Sequence, residues 1–246
     1  MLLADADLLS TVLPVVLAQL LPIAMLAGVI GLDVVSFPQA MLSRPIVAAT
    51  VAGAFVGAPV AGLTCGAALE CLALESLPVG ASRYPEWGSA SVVAGAVAAL
   101  GVRGGELPTP GAFAVAVLVG IATAWAGGGT MVRLRRLIAS FARPRLDQLA
   151  AGNRRTVVGL QVFGMTADLA RGTLVGAVAY VPAALLAGWS QAHWTVSAPI
   201  TRAVVVAMVA SVAATAVWKD FHAITGTRRL FLASLAVGTL MVVLGA

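Results

Sequence analysis

Charge is what this sequence has least of. Only 10% of its 246 residues are Asp, Glu, Lys or Arg, 60% are hydrophobic, and the mean hydropathy is +1.00. Soluble domains carry roughly 25% charged residues, so the composition excludes a water-soluble domain and indicates an integral membrane protein. Histidine is nearly absent. His193 and His222 both fall in predicted loops, whereas a catalytic or metal cluster needs several convergent ligands. The two cysteines, Cys65 and Cys71, share one apolar stretch and read as packing residues rather than a disulfide or metal pair. No nucleophile triad or carboxylate dyad is visible, so no catalytic residue, metal or cofactor is expected. The first twenty residues contain Asp5 and Asp7 but no Lys or Arg, which argues against a cleaved signal peptide. Gly127-Gly128-Gly129 lacks the lysine–hydroxyl ending of a phosphate loop and lies in an apolar run, so close packing or a helix end explains it better.

What is present is a series of apolar runs. A helical crossing takes roughly 20 residues, so the chain has room for about seven to nine spanning or re-entrant segments. The expected fold is all-α and polytopic, with broken or re-entrant helices, in a single membrane domain over residues 1–246. Leu8 to Leu32 is the first segment, interrupted by Pro14 and Pro22 and ended by Asp33. Ser89 to Val102 is rich in Ala and Val, and RGGELPTP from Arg103 to Pro110 reads as a polar turn. Gly111 to Met131 is another span, closing with the glycine triplet. Between Arg133 and Arg155 stand seven arginines and one acid, Asp147. A nucleic-acid interface would need a soluble fold to present such a patch, and the positive-inside rule identifies the run as a cytoplasmic connection. Within it Leu134, Leu137, Ile138 and Phe141 recur at helical spacing opposite arginines, the pattern of a basic amphipathic helix that lies on an anionic lipid surface or docks a partner. Thr156 to Leu186 contains Asp168 and Arg171, three apart and able to pair on a helix. Trp189 to Pro199, with two tryptophans and a histidine, reads as a loop on the opposite side. Ile200 to Val217 returns, Trp218 to Arg229 forms a second basic loop, and Leu230 to Ala246 is the last segment.

The most informative stretch is Ser36 to Glu86. It runs without a charge from Ile46 to Leu69 and then reaches Glu70, Glu75 and a Pro78-Val79-Gly80 turn. A carboxylate at the bilayer centre costs about 2.5–3.5 kcal/mol on insertion scales, and such residues usually face a cavity or pathway. Gly62, Gly66 and Glu70 lie on one helical face, where the glycines admit a second backbone. Gly53 and Gly57 repeat the spacing upstream, and Pro59 between the pairs predicts two half-helices. Broken helices beside an ionisable group point to a transporter's binding site; the plainer role for Glu70 is a helix cap or an arginine partner.

The order Ser43-Arg44-Pro45-Ile46-Val47, Gly53, Gly57, Gly66-Ala67-Ala68-Leu69-Glu70 and Leu77-Pro78-Val79-Gly80-Ala81 resembles the membrane IIC component of mannose/sorbose-family sugar phosphotransferase systems. The resemblance is densest over residues 28–90 and collinear afterwards. It implies a subunit that pairs with a IID membrane subunit and carries a sugar inward by an elevator-like movement. It also implies a bacterial cytoplasmic (inner) membrane location and an oligomeric complex. Phosphoryl transfer is implied on the cytoplasmic IIB and IIA subunits rather than on this chain. Glu70 matches the acid of the family's Gly-x-x-Leu-Glu motif, Glu86 the acid after Val-Gly-Ala-x-x-Pro, Asp33 the acid before Ser-Arg-Pro, and Gln39 the amide between them. These four are the expected substrate-binding residues, with Trp87 or Phe37 as a wall for the sugar's C–H face. Ala58 and the Arg83-Tyr84 pair depart from the family's pattern, and Arg83 places a cation beside the expected site. A diverged membrane subunit that binds or moves another solute without phosphorylation, and a structural or regulatory protein on the same scaffold, are the alternative readings.

Overall fold

The computed structural model describes residues 2–74, 84–221 and 225–244; these form helices and connecting turns, with no strand. The first helix, α1 (Leu2–Leu32), runs unbroken through Pro14 and Pro22, correcting the expected interruptions. Within lipid there is no water to take over a freed carbonyl, so helices continue past prolines that would end them in water. One face of α1 buries Val16, Ile23, Ala27 and Ile30, while Leu17, Leu21, Met25 and Val29 remain exposed on the other. A helix apolar all round belongs in a membrane.

The break at Pro59 is present. Helix α2 (Pro45–Val56) ends with Gly57 at φ 90°, with the Gly57 N–H donating to Ala54 O and the Ala58 N–H to Gly53 O. This is a Schellman motif, and the proline just beyond it opens α3 (Pro59–Ala73) at the position where a missing N–H costs nothing. The two helices fold back on each other as an antiparallel hairpin. A Cβ on Gly62 would lie 2.2 Å from Ala49 O, and one on Gly66 would lie 2.7 Å from Pro45 O, so the predicted glycine face is the hairpin seam.

Helix α4 (Trp87–Leu100) is the centre of the molecule: every residue from Gly88 to Ala99 is buried, and it touches α1, α2, α3, α5 and α7. At 12, 15 and 14 residues, α2, α3 and α4 are about 18–23 Å long, too short for a hydrocarbon core of about 30 Å. They are half-crossing elements held among longer ones.

Helix α5 (Pro110–Ala142) continues through the glycine triplet for 33 residues. The expected span ending near Met131 and the separate surface-lying basic helix are therefore one element. The glycines serve packing: a Cβ on Gly128 would meet Tyr84 O at 2.1 Å, and one on Gly127 would meet Glu86 Oε2 at 3.2 Å. The expected apolar stripe is only partly covered, with Leu134 buried and Leu137 and Phe141 exposed. A short turn over Arg143–Arg145 and α6 (Leu146–Ala150) lead to α7 (Arg154–His193), whose 40 residues include Trp189 to His193. The expected 189–199 loop thus shrinks to residues 194–197, because Trp189 stacks on His193 and the His193 ring bonds Trp189 O within the helix. Helix α8 (Ala198–Phe221) packs on α3 and α5, and α9 (Thr227–Leu244) on α8.

Among the described residues, α1, α5 and α7 contain segments long and apolar enough to cross a membrane. Large aliphatic side chains lie outside while Asp33, Glu86, Asp168 and Arg171 lie inside. The protein is an all-α polytopic membrane protein with a broken, hairpin-forming element packed against its central helix.

Candidate functional site

Two groups of polar side chains sit where half-helices begin. The first is at the start of α2. Pro45 occupies the first helical position, and the next N–H, that of Ile46, has no intrahelical acceptor. Because the hairpin is antiparallel, the end of α3 lies beside this start, and Glu70 Oε2 accepts the Ile46 N–H at 3.2 Å. Its Oε1 pairs with Arg44 Nη2. A carboxylate is stabilised there by the positive end of the helix dipole and by the guanidinium. Glu70 therefore has the plainer of its two anticipated partnerships, and it remains partly accessible.

A cavity of about 60 Å³ adjoins this pair, lined by Ser43, Arg44, Tyr84 and Trp87 among others. Trp87 lines this cavity, whereas Phe37 lies outside it and is 63% exposed. Tyr84 is buried, its hydroxyl accepting from Arg135 Nη2 and its ring lying 5.1 Å beneath the same guanidinium. Ligand pockets usually enclose about 300–1,000 Å³, so the cavity as described is closed to a sugar.

The second group is at the start of α4. The Tyr84–Glu86 backbone is not helical, and at membrane depth such backbone must be satisfied by protein. The Glu86 N–H donates to Ala124 O of α5 at 2.8 Å, and Glu86 Oε1 accepts the Ser89 N–H at 3.0 Å as the N-cap of α4. Glu86 is fully buried, and its Oε2 lies 3.6 Å from Arg171 Nη1. Arg171 also donates from Nε to Asp168 Oδ1 at 2.9 Å and from Nη1 to Thr130 Oγ1 at 3.4 Å, while Ser36 Oγ donates to Asp168 Oδ2 at 2.9 Å. The anticipated Asp168–Arg171 pair is therefore a triad of two carboxylates and one guanidinium joining α7, α5 and the start of α4. Among the described residues, Glu86 Oε2 and Arg171 Nη2 have no hydrogen-bond partner.

Asp33 lies between the two groups. Its Oδ1 accepts the Ala40 N–H at 2.6 Å, and its Oδ2 accepts the Ser43 N–H and hydroxyl at 2.8 and 2.9 Å. Burial acts to raise this carboxyl's pKa, but the Ser43 and Ala40 donors outweigh it and hold the group below its ordinary value. Asp33 thus fixes the 34–43 connection that delivers Arg44 to Glu70. Gln39 is exposed, at φ 59°, and spends its amide on Val35 O at 2.7 Å. Of the four expected residues, Glu70 borders the cavity's Arg44, Glu86 and Asp33 are buried beside it, and Gln39 stands apart. Arg83, Glu75, the Pro78-Val79-Gly80 turn and His222 lie outside the described residues.

The joining of Glu86 to Arg171 was missed from sequence, as were the Ser36–Asp168 and Tyr84–Arg135 contacts. The available signal was electrostatic: a buried glutamate in an apolar chain needs a cation, and Arg171 is one of the few at membrane depth.

A family model described as "PTS system sorbose-specific iic component" matches residues 17–198, most of the chain. No curated protein matches significantly. A solved chain described as "Structure of membrane protein" superposes with a TM-score of 0.66 at 19% identity, covering 92% of this chain and 94% of that one. That likeness speaks for the fold. With the hairpin, the buried acids and this match in hand, the chain belongs to the sorbose-specific IIC component family of phosphotransferase systems.

Proposed function

We propose that the chain is the sugar-translocating IIC subunit of a mannose/sorbose-type phosphotransferase system in the bacterial cytoplasmic membrane. It acts as one membrane domain with a IID membrane partner, carries a sugar inward, and presents it to a cytoplasmic IIB subunit, charged by IIA, for phosphorylation. The chain itself supplies no phosphoryl-transfer residue. The arginine-rich connection over 133–155 faces the cytoplasm, in keeping with the positive-inside rule.

The observation that carries this reading is Glu70. It combines the family match with a carboxylate at the mouth of a broken helical hairpin, next to a cavity walled by Trp87 and Tyr84. A sugar presents hydroxyls that both donate and accept and a C–H face that packs on an aromatic ring. In this reading Glu70 exchanges Arg44 for sugar hydroxyls as the hairpin and the Tyr84–Trp87 segment separate and the cavity widens. Glu86 and Asp33 hold the two half-helix starts in place around it, and Gln39 reaches the sugar from the 34–43 connection.

The test is Glu70→Gln, coexpressed with IID and IIB partners, with sugar uptake and sugar phosphorylation measured together. A hydrogen bond to a charged group is worth about 1.5–3 kcal/mol, so both readouts should fall about tenfold or more. Undiminished transport would sink the assignment.

A further inference from the structure

Helices α5 and α7, at 33 and 40 residues, are about 50 and 60 Å long, well beyond a hydrocarbon core of about 30 Å. The joined end of this pair, from Arg133 to Val162, therefore projects past the core. Its surface mixes two kinds of side chain that ordinarily avoid each other. Phe141 is 43% exposed, Leu146 60%, Val157 48% and Val162 57%, and between them stand the exposed arginines 133, 136, 143 and 154.

Neither water nor hydrocarbon suits such a surface. In water the aliphatic groups stay wet; in the core each arginine costs about 2.5–3.5 kcal/mol. The headgroup layer accommodates both, with aliphatic stems below and guanidinium groups among phosphates. A docked protein would cover one face, yet the exposed apolar groups lie on α5, α6 and several sides of α7. Annular cover by lipid fits that distribution.

Within this end lies a cleft of about 470 Å³ with Arg145, Arg155 and Thr156 on its polar side and Phe141, Leu160 and Phe163 on its apolar side. The two phenylalanine rings pack at 4.8 Å. Arg145 donates one N–H to Phe141 O, which fixes its stem at the cleft. Among the described residues neither arginine forms an ion pair, and the segment's one acid, Asp147, pairs with neither. We propose that this cleft is a binding site for an anionic phospholipid: the phosphate sits between Arg145 and Arg155, and the glycerol end packs along Leu160 and the phenylalanine pair. Paired guanidinium groups match phosphate oxygens geometrically as well as electrically. The site is separate from the sugar cavity and stands whether or not Glu70 binds sugar.

The experiment uses the full chain, delipidated in neutral detergent and titrated with phosphatidylglycerol or phosphatidylcholine, with bound lipid counted by native mass spectrometry. The cleft variant is R145Q/R155Q; a second variant, R133Q/R136Q, removes equal charge outside the cleft. Both pairs are exposed, so unfolding temperature in detergent without lipid verifies that the variants fold. Phosphatidylglycerol should bind in preference to phosphatidylcholine. R145Q/R155Q should weaken it by about tenfold or more, from the loss of charge-assisted hydrogen bonds to the phosphate, and R133Q/R136Q by much less. Equal losses in the two variants would mean diffuse attraction and overturn the cleft. Equal binding of phosphatidylcholine, or competition by inorganic phosphate at matched concentration, would overturn the anionic lipid as its ligand. So would loss of IIB association in the cleft variant with lipid binding unchanged.

Discussion

Arg171 faces two carboxylates, Glu86 and Asp168, from a position only 9% exposed. Removing one partner from such a group strands buried charge, which costs about 3–5 kcal/mol, whereas replacing charges by neutral groups of similar size is often harmless. Arg171→Met should therefore lower the unfolding temperature in detergent sharply, and R171M/E86Q, which leaves only Asp168 without its cation, should recover part of the loss. A double variant no more stable than the single one would mean that Glu86 acts only as the N-cap of α4. Asp33 gives a second residue-level expectation, in its dependence on pH. Burial raises its pKa, but the stronger effect of the Ser43 and Ala40 donors leaves the folded value below the unfolded one. Its contribution is then fully present above the unfolded value of about 4 and is lost as pH falls through the folded value. The stability gap between the native chain and Asp33→Asn should be flat from about pH 5 to 8 and close below about pH 4, as read by thermal unfolding across pH. A gap that instead widens on acidification would contradict the sign. Such contacts differ in how far sequence reveals them. Asp168 and Arg171 are visible as a pair because three residues on a helix make neighbours. Glu86 and Arg171 are brought together only by the crossing of α4, α5 and α7, which no local spacing encodes.

The α2–α3 hairpin is the element most fully readable from sequence, because its signals are local: Pro59 for a helix start and small residues at a four-residue spacing for the seam, although Gly57, which the spacing assigns to the seam, is instead the left-handed cap. The left-handed cap supplies a prediction free of steric ambiguity. A Cβ on Gly57 would meet no atom within 4 Å, yet its φ of 90° is disfavoured for any L side chain. Gly57→Ala should therefore destabilise by about 1 kcal/mol through backbone strain alone. An unchanged unfolding temperature would show that the turn relaxes without loss. The same kind of signal misled elsewhere. Pro14, Pro22 and the glycine triplet suggest interruptions, but α1 and α5 run straight through them. In water a glycine-rich turn competes with helix by exposing its backbone to solvent; in lipid that competitor is removed, and the helix persists. The triplet's use is tertiary, since it admits the Tyr84–Glu86 backbone against α5.

At the scale of the molecule the helices form shells around α4. It is buried over all of Gly88–Ala99 and packs against α1, α2, α3, α5 and α7, whereas α8 packs on α3 and α5, and α9 on α8. The membrane class was legible from composition alone, but this nesting was not, because Ala- and Val-rich segments look alike whether they face lipid or protein. The order of shells has a kinetic consequence. Backbone amides exchange with solvent only when their element opens, and the free energy of opening rises with the packing that must be broken. Opening α4 requires separating five helices and exposing the Glu86–Arg171 charges, while opening α9 requires parting it from α8. In detergent with increasing urea, hydrogen exchange should therefore appear first in peptides from α9 and α8, later in the α2–α3 hairpin, and last in α4. Exchange of α4 before α8 would mean that the polar triad weakens the centre rather than tying it together, and that the half-helices open independently of the long helices around them.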